Sequence, residues 1–178
     1  MKNYLPLIIL FCISLTGLAQ ETYTLSSDSK LTIDGTSTVH DWTVTANTVE
    51  GTLKAEGKGT APKEIDFQVT VADIKSERGA TMDKKMHNAL GKDSHPKVMF
   101  TLKEVKDEST LVGTLTIGGN AQDVEIAGRL DISADKVMIT GEHGIALKDF
   151  EIEPPTAMFG QVIVGNDVTV KFDLVFTK

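Results

Sequence analysis

Ser37, His40 and Asp41 stand close together and are the residue types from which a nucleophile, a general base and an orienting carboxylate could be drawn. Hydrolysis through an acyl intermediate is the chemistry they would do. Their arrangement opposes it, because adjacent residues on a strand point to opposite faces and His40 and Asp41 cannot readily form a relay there. No Gly-x-Ser-x-Gly elbow surrounds Ser37. The four histidines, His40, His87, His95 and His143, are scattered, and no two have the short spacing that places two imidazoles on one helix face. A zinc site is disfavoured, most of these imidazoles are expected to be exposed or hydrogen-bonded structural groups, and no cofactor is required.

The remaining metal-binding and nucleophilic type, cysteine, occurs once, at Cys12. It falls in a leader: Lys2 supplies a positive start, Leu5 to Leu15 an apolar run, and Gly17-Leu18-Ala19 the small residues a signal peptidase reads. Residues 1–19 are thus a secretory signal peptide and residues 20–178 a single domain. The large Phe11 before Cys12 disfavours lipid attachment. The mature chain then has no cysteine, so disulfides and thiolate chemistry are excluded despite export to a periplasmic or secreted location. Its 17 basic groups face 25 acidic ones, a net charge of −8. Nucleic acid is an improbable partner for such a surface. No segment after the leader approaches the roughly 18 apolar residues of a spanning helix, so stable membrane insertion is not expected.

Almost everything after the leader alternates. Ile65, Phe67, Val69 and Val71 interleave with Glu64, Asp66, Gln68 and Thr70, the period of two of a strand with one wet face. The pattern recurs at Trp42-Val44-Ala46, Val49-Gly51-Leu53-Ala55, Leu111-Gly113-Leu115-Ile117, Val124-Ile126-Gly128-Leu130 and Val168-Val170-Phe172-Leu174-Phe176. Gly118-Gly119-Asn120 and Gly165-Asn166-Asp167 read as tight hairpin turns, making the strands antiparallel neighbours. With Tyr23 to Ile33, Val98 to Leu102 and Val137 to Leu147, about eight strand-sized segments result, some broken or bulged, and eight can close a small barrel. One segment departs from the pattern. Met82, Met86 and Leu90 recur every fourth residue, predicting a short helix with Thr81 as N-cap and Gly91 as its stop.

An all-β barrel of this size either packs solid or holds one small ligand. Gly51, Ala55, Gly113 and Gly128 fall at inward positions, where small residues leave lumen space or mark strand curvature, and the sequence leaves both readings open. If a pocket exists, Trp42, Phe67, Val69, Leu115, Ile117, Phe172 and Leu174 face it by alternation. The Met82, Met86 and Leu90 stripe either packs as core or seals one end and lines the ligand's entrance. Phe150, Met158 and Phe159, in the irregular segment around Pro154 and Gly160, are expected to border the same opening.

Several stretches resemble the YceI-like family. These are Gly35-Thr36-Ser37-Thr38-Val39-His40-Asp41-Trp42, the helix leading into His95-Pro96-Lys97-Val98-Met99-Phe100, Gly113-Thr114-Leu115-Thr116-Ile117-Gly118-Gly119, and Asp149 to Gly160. The resemblance implies an exported, lipocalin-like antiparallel barrel of about eight strands, one short helix covering an end, that binds polyisoprenoids or other long-chain amphiphiles. Where many members have Asp-x-His-Leu in the helix and Phe-Phe-Asp after it, this chain has Asp83-Lys84-Lys85-Met86-His87 and Leu90-Gly91-Lys92, so His87 takes no role from it.

The expected function is capture of an elongated apolar ligand, an isoprenoid or fatty-acid-like lipid, without catalysis. The rivals are a small periplasmic hydrolase using His40, Asp41 and Ser37, and a filled barrel serving as a ligand-free interaction module. Export is checked by the intact mass of the mature protein: a chain beginning at Gln20 is expected, whereas retention of residues 1–19 or a lipidated Cys12 terminus rejects the assignment.

Overall fold

The computed structural model describes residues 20–77 and 79–178, without the side chains of Ala157 and Met158. The predicted leader, Cys12 included, lies outside the described residues. Twelve strand segments follow one another: β1 (Glu21–Leu25), β2 (Lys30–Ser37), β3 (Trp42–Ala46), β4 (Val49–Ala55), β5 (Pro62–Thr70), β6 (Ile74–Ser76), β7 (Lys97–Lys106), β8 (Thr110–Ile117), β9 (Asn120–Ile132), β10 (Lys136–Ala146), β11 (Thr156–Ala157) and β12 (Val162–Thr177). Between β6 and β7 lies one α-helix, α1 (Ala80–Ala89).

The sheet runs β1-β4-β5-β7-β8-β9-β10-β12-β2-β3-β6, and β1 also pairs with β12. Because β1 and β2 both pair with β12, and β4 and β3 pair with β1 and β2 respectively, β1/β2 and β3/β4 are two broken staves, with β5/β6 a third. Together with β7, β8, β9, β10 and β12 they form a closed, eight-stave, antiparallel up-and-down barrel, as the alternation and the family resemblance predict. The breaks are stitched by specific bonds. At Ser26 to Ser29, the Ser26 amide donates to Val175 O (2.7 Å) and the Val175 amide to Ser29 Oγ (2.9 Å), keeping β12 paired across the interruption. Such bends let a sheet curl tightly enough to close.

One end is solid. Tyr23, Leu53, Val137 and Phe176 are wholly buried there beside Ala55 and Leu102, and the Tyr23 hydroxyl donates to Ala134 O (3.1 Å) across the barrel's base. At the other end β6 turns away from β7, and α1 covers the gap. The face it presents to β6 is polar: Asp83 accepts from the Ser76 amide (2.8 Å) and hydroxyl (2.9 Å), and His87 Nε2 donates to Ile74 O (2.9 Å). Residues four apart share a helix face, so two side chains satisfy the β6 edge groups that a neighbouring strand would otherwise pair.

Three local readings are revised or refined. The helix begins after Gly79 (φ 89) with no side-chain cap, so Thr81 lies inside it rather than capping it. Its stop at Gly91 (φ 67) is as predicted: the Lys92 amide reaches His87 O (2.9 Å) and the Gly91 amide Asn88 O (3.0 Å), a left-handed closure that suits glycine. Gly118-Gly119 is the two-residue turn joining β8 to β9, both at positive φ. Gly165-Asn166-Asp167, by contrast, is no turn but a bulge within β12, where register slips between Val164 and Val168. There Thr36 Oγ1 would sit only 2.5 Å from a Cβ at Gly165, and Asn166 Oδ1 accepts from the Lys148 amide (3.0 Å).

The Asp83 carboxyl is held below its usual range, chiefly by the Ser76 amide. A carboxylate with a depressed folded pKa contributes stability that is fully present above its ordinary value of 3.8 and is lost as pH falls through the lower folded value. Asp83→Asn is expected to cost about 1 kcal/mol at neutral pH, the difference between a charged and a neutral acceptor. Urea unfolding at neutral and strongly acid pH should show the gap closing in acid; equal stabilities at neutral pH would contradict the role.

Candidate functional site: an apolar lumen

Above the solid base the barrel holds an apolar cavity of about 260 Å³. Ile65, Leu111, Ile139 and Leu174 form its floor, and α1 contributes Met82, Met86 and Ala89, with its C-cap Leu90, at the opposite end. The volume exceeds the ~150 Å³ apolar void that stays dry yet accepts a hydrocarbon, and lies just below the roughly 300–1,000 Å³ range of ligand pockets.

Ten of the thirteen residues proposed from sequence border this space. Trp42, Phe67, Val69, Leu115, Ile117, Phe172 and Leu174 reach it from four staves, and Met82, Met86 and Leu90 from the helix and its C-cap. Phe150 lies elsewhere: it is buried in the core, at the end of the 3₁₀ turn Leu147–Phe150, and borders a second groove instead. Phe159 is fully exposed, with a left-handed backbone (φ 57), and does not border the lumen. The Met158 side chain is outside the described residues. The segment containing them nevertheless approaches the entrance through Pro155 and Thr156, and Lys85 Nζ on α1 donates to Thr156 O (2.7 Å). That bond ties the helix to the opposite lip.

The inward glycines do not themselves hold the volume open. A Cβ at Gly113 would lie 2.6 Å from the Phe100 ring, one at Gly141 2.9 Å from Phe172, and one at Gly35 2.2 Å from Trp42. At Gly51 the Phe67 ring would be 3.4 Å from such a Cβ and at Gly128 the Phe172 ring 3.8 Å, ordinary contact distances. Aromatic rings therefore occupy most of the space the glycines leave, and the cavity is the room between those rings. Phe100, Ile33, Val98, Val170 and His143 also line it. All lie on alternating strands, so extending the period through β7 and β10 is the signal that identifies them. On β10, Val137, Ile139, Gly141, His143 and Ile145 share the inward face.

Ser37 and His40 stand at the rim. Their contact serves the β2–β3 turn: Ser37 Oγ donates to His40 O (2.7 Å), and the His40 amide donates to Ser37 Oγ (3.2 Å). The hydroxyl lies 3.5 Å from His40 Nδ1, but its proton is directed at the carbonyl. Asp41 makes no hydrogen bond to His40 among the described residues. His95 is exposed and lies over Gly119, His87 is committed to Ile74 O, and burial holds the His143 imidazole below its usual pKa, favouring the neutral ring. Among the described residues, no three His, Cys, Asp or Glu side chains converge as a metal site.

This geometry can be set beside known proteins. Of solved structures, a polyisoprenoid binding domain from Saccharophagus degradans, implicated in plant cell wall breakdown, superposes with a TM-score of 0.70 at 13% identity, covering 87% of this chain and 97% of that one. BcnA of Burkholderia cenocepacia gives 0.67 at 16% identity, covering 83% and 96%. A YceI protein of Campylobacter jejuni gives 0.54 at 19% identity over 66% and 74%. No curated protein sequence matches. A sequence model of the YceI-like domain matches residues 23–176, from within β1 to within β12, and the chain belongs to the YceI-like family.

Proposed function

We propose that this protein is an exported, periplasmic or secreted carrier that holds an elongated apolar molecule, an isoprenoid or fatty-acid-like lipid, in its lumen and releases it unchanged. The observation that carries this reading is the apolar cavity inside a barrel closed at one end and covered by a helix at the other. Transfer of each methylene from water into such a lumen contributes about 0.8 kcal/mol before association and ordering costs. A long chain therefore gains what a short one cannot. The family, and the description of the Saccharophagus degradans domain as polyisoprenoid binding, support the same ligand class. Ser37 directs its proton at the His40 backbone carbonyl rather than at the imidazole, which favours capture over hydrolysis.

Native mass spectrometry of protein recovered from its own compartment, followed by solvent extraction, tests the reading directly. A long-chain lipid adduct is expected; protein that is ligand-free and takes up no lipid when offered it would refute capture. Turnover of an offered ester that disappears in His40→Ala would instead establish the hydrolase.

The helix gives a second prediction. Met86→Ala removes part of the lumen's cover while the barrel ladder stays intact, so lipid release should become several-fold faster with a stability loss of no more than about 2 kcal/mol. Dissociation kinetics and a denaturation curve on the same preparation decide it. Unchanged release with a larger loss would make Met86 a core residue and remove the helix from the gate.

A further inference from the structure

The barrel wall is incomplete beside the lumen. β9 and β10 pair only from Val137↔Ile132 to Gly141↔Gly128. Beyond the two facing glycines each strand continues, β9 against β8 as far as Asn120 and β10 against β12 as far as Ala146, but not against one another. A groove of about 300 Å³ occupies the gap, lined by Gln122, Asp123, Val124, His143, Ile145 and Asp149 among others. Its rim is fixed where Asn120 Nδ2 donates to Phe150 O (2.8 Å) and Gln122 Nε2 to Asp149 O (2.9 Å).

His143 borders both spaces, the groove and the lumen. Its imidazole has no hydrogen-bond partner among the described residues, and its neighbours on this part of the lumen wall, Ile126, Ile139 and Ile145, are apolar. We infer that the groove receives the polar end of the lumen's ligand at His143, and that this end is an uncharged hydrogen-bonding group, a hydroxyl or carbonyl, rather than a phosphate or carboxylate. The inference rests on the carrier reading and narrows its ligand class.

Charge decides the class. No Lys or Arg side chain lines the groove among the described residues, while Asp123 and Asp149 do. Lys103 is engaged with Asp123 at 2.6 Å on the groove's edge. An anionic head would therefore meet two carboxylates and no Lys or Arg in the groove's lining among the described residues. A neutral imidazole, which burial favours at this site, offers one donor and one acceptor. The β9 and β10 edges facing the gap add backbone amides and carbonyls, which are neutral partners as well.

The test uses delipidated mature protein, with the fluorescence of Trp42, the chain's single tryptophan and itself a lumen residue, as the readout. Farnesol, farnesene and farnesyl diphosphate are titrated into the wild type, His143→Phe and His143→Gln, each first shown to be folded by circular dichroism. Farnesol should bind about three- to tenfold more tightly than farnesene, the worth of one hydrogen bond, and more tightly than the diphosphate. His143→Phe should abolish the advantage over farnesene, and His143→Gln, which keeps a donor and an acceptor, should retain it. Tightest binding of the diphosphate, equal binding of farnesol and farnesene to the wild type, or equal weakening of both by His143→Phe would overturn the head site while leaving the lumen reading intact. If none of the three binds, the lumen reading fails and the head site with it.

Discussion

The lumen exists because β12 closes the sheet. This one strand pairs with β10 along eleven registered positions and, on its other side, with both halves of the broken first stave. Backbone groups buried without partners are costly, so once the N-terminal and C-terminal staves are bonded, the inward side chains have a common interior. The solid base, the floor at Ile139 and Leu174, and the ring of Trp42, Phe67 and Phe172 all hold their positions through that ladder. Its two departures from regularity, the bulge at Gly165 and the stitched break at Ser26 to Ser29, lie on or against β12.

Where the ladder does not close, it opens in two different ways. Beside β6 the gap is filled by a helix whose carboxylate and imidazole imitate a neighbouring strand's acceptor and donor. Between β9 and β10 no such substitute exists among the described residues along the upper part of the wall, where a short 3₁₀ turn braces the rim. The first gap is thus covered by a specific element tied across the lip by Lys85, and the second remains a polar cleft in an apolar wall.

How much of this was readable depends on the range of the interaction involved. Alternation is local, and it located the staves, the inward faces and most of the lumen lining. The left-handed closure at Gly91 and the turn at Gly118-Gly119 are local as well, and the residues announce them. Gly165-Asn166-Asp167 misleads because the same residue types serve a turn or a bulge, and the close approach of Thr36 decides between them. The inward glycines are ambiguous for a related reason: the ring that covers Gly113 belongs to β7, and the one near Gly141 to β12. Asp83 and His87 have the spacing of a shared helix face, yet only the unpaired edge of β6 gives that face something to bind. Phe150 and Phe159 share an irregular segment, but tertiary packing buries one and exposes the other.

The meander also orders the assembly of the molecule in time. Each stave neighbours the next in sequence except at the seam, where the first and last staves meet. Loop closure across nearly the whole chain is entropically costly and comes late when shorter-range pairings are available. Until that seam zips, the eventual interior is the concave side of an open, curved sheet with apolar side chains facing water. A hydrophobic molecule present at that stage can be wrapped rather than threaded, and protein refolded in its absence starts from an empty interior. The history of a preparation, as well as its equilibrium affinity, therefore sets what it carries.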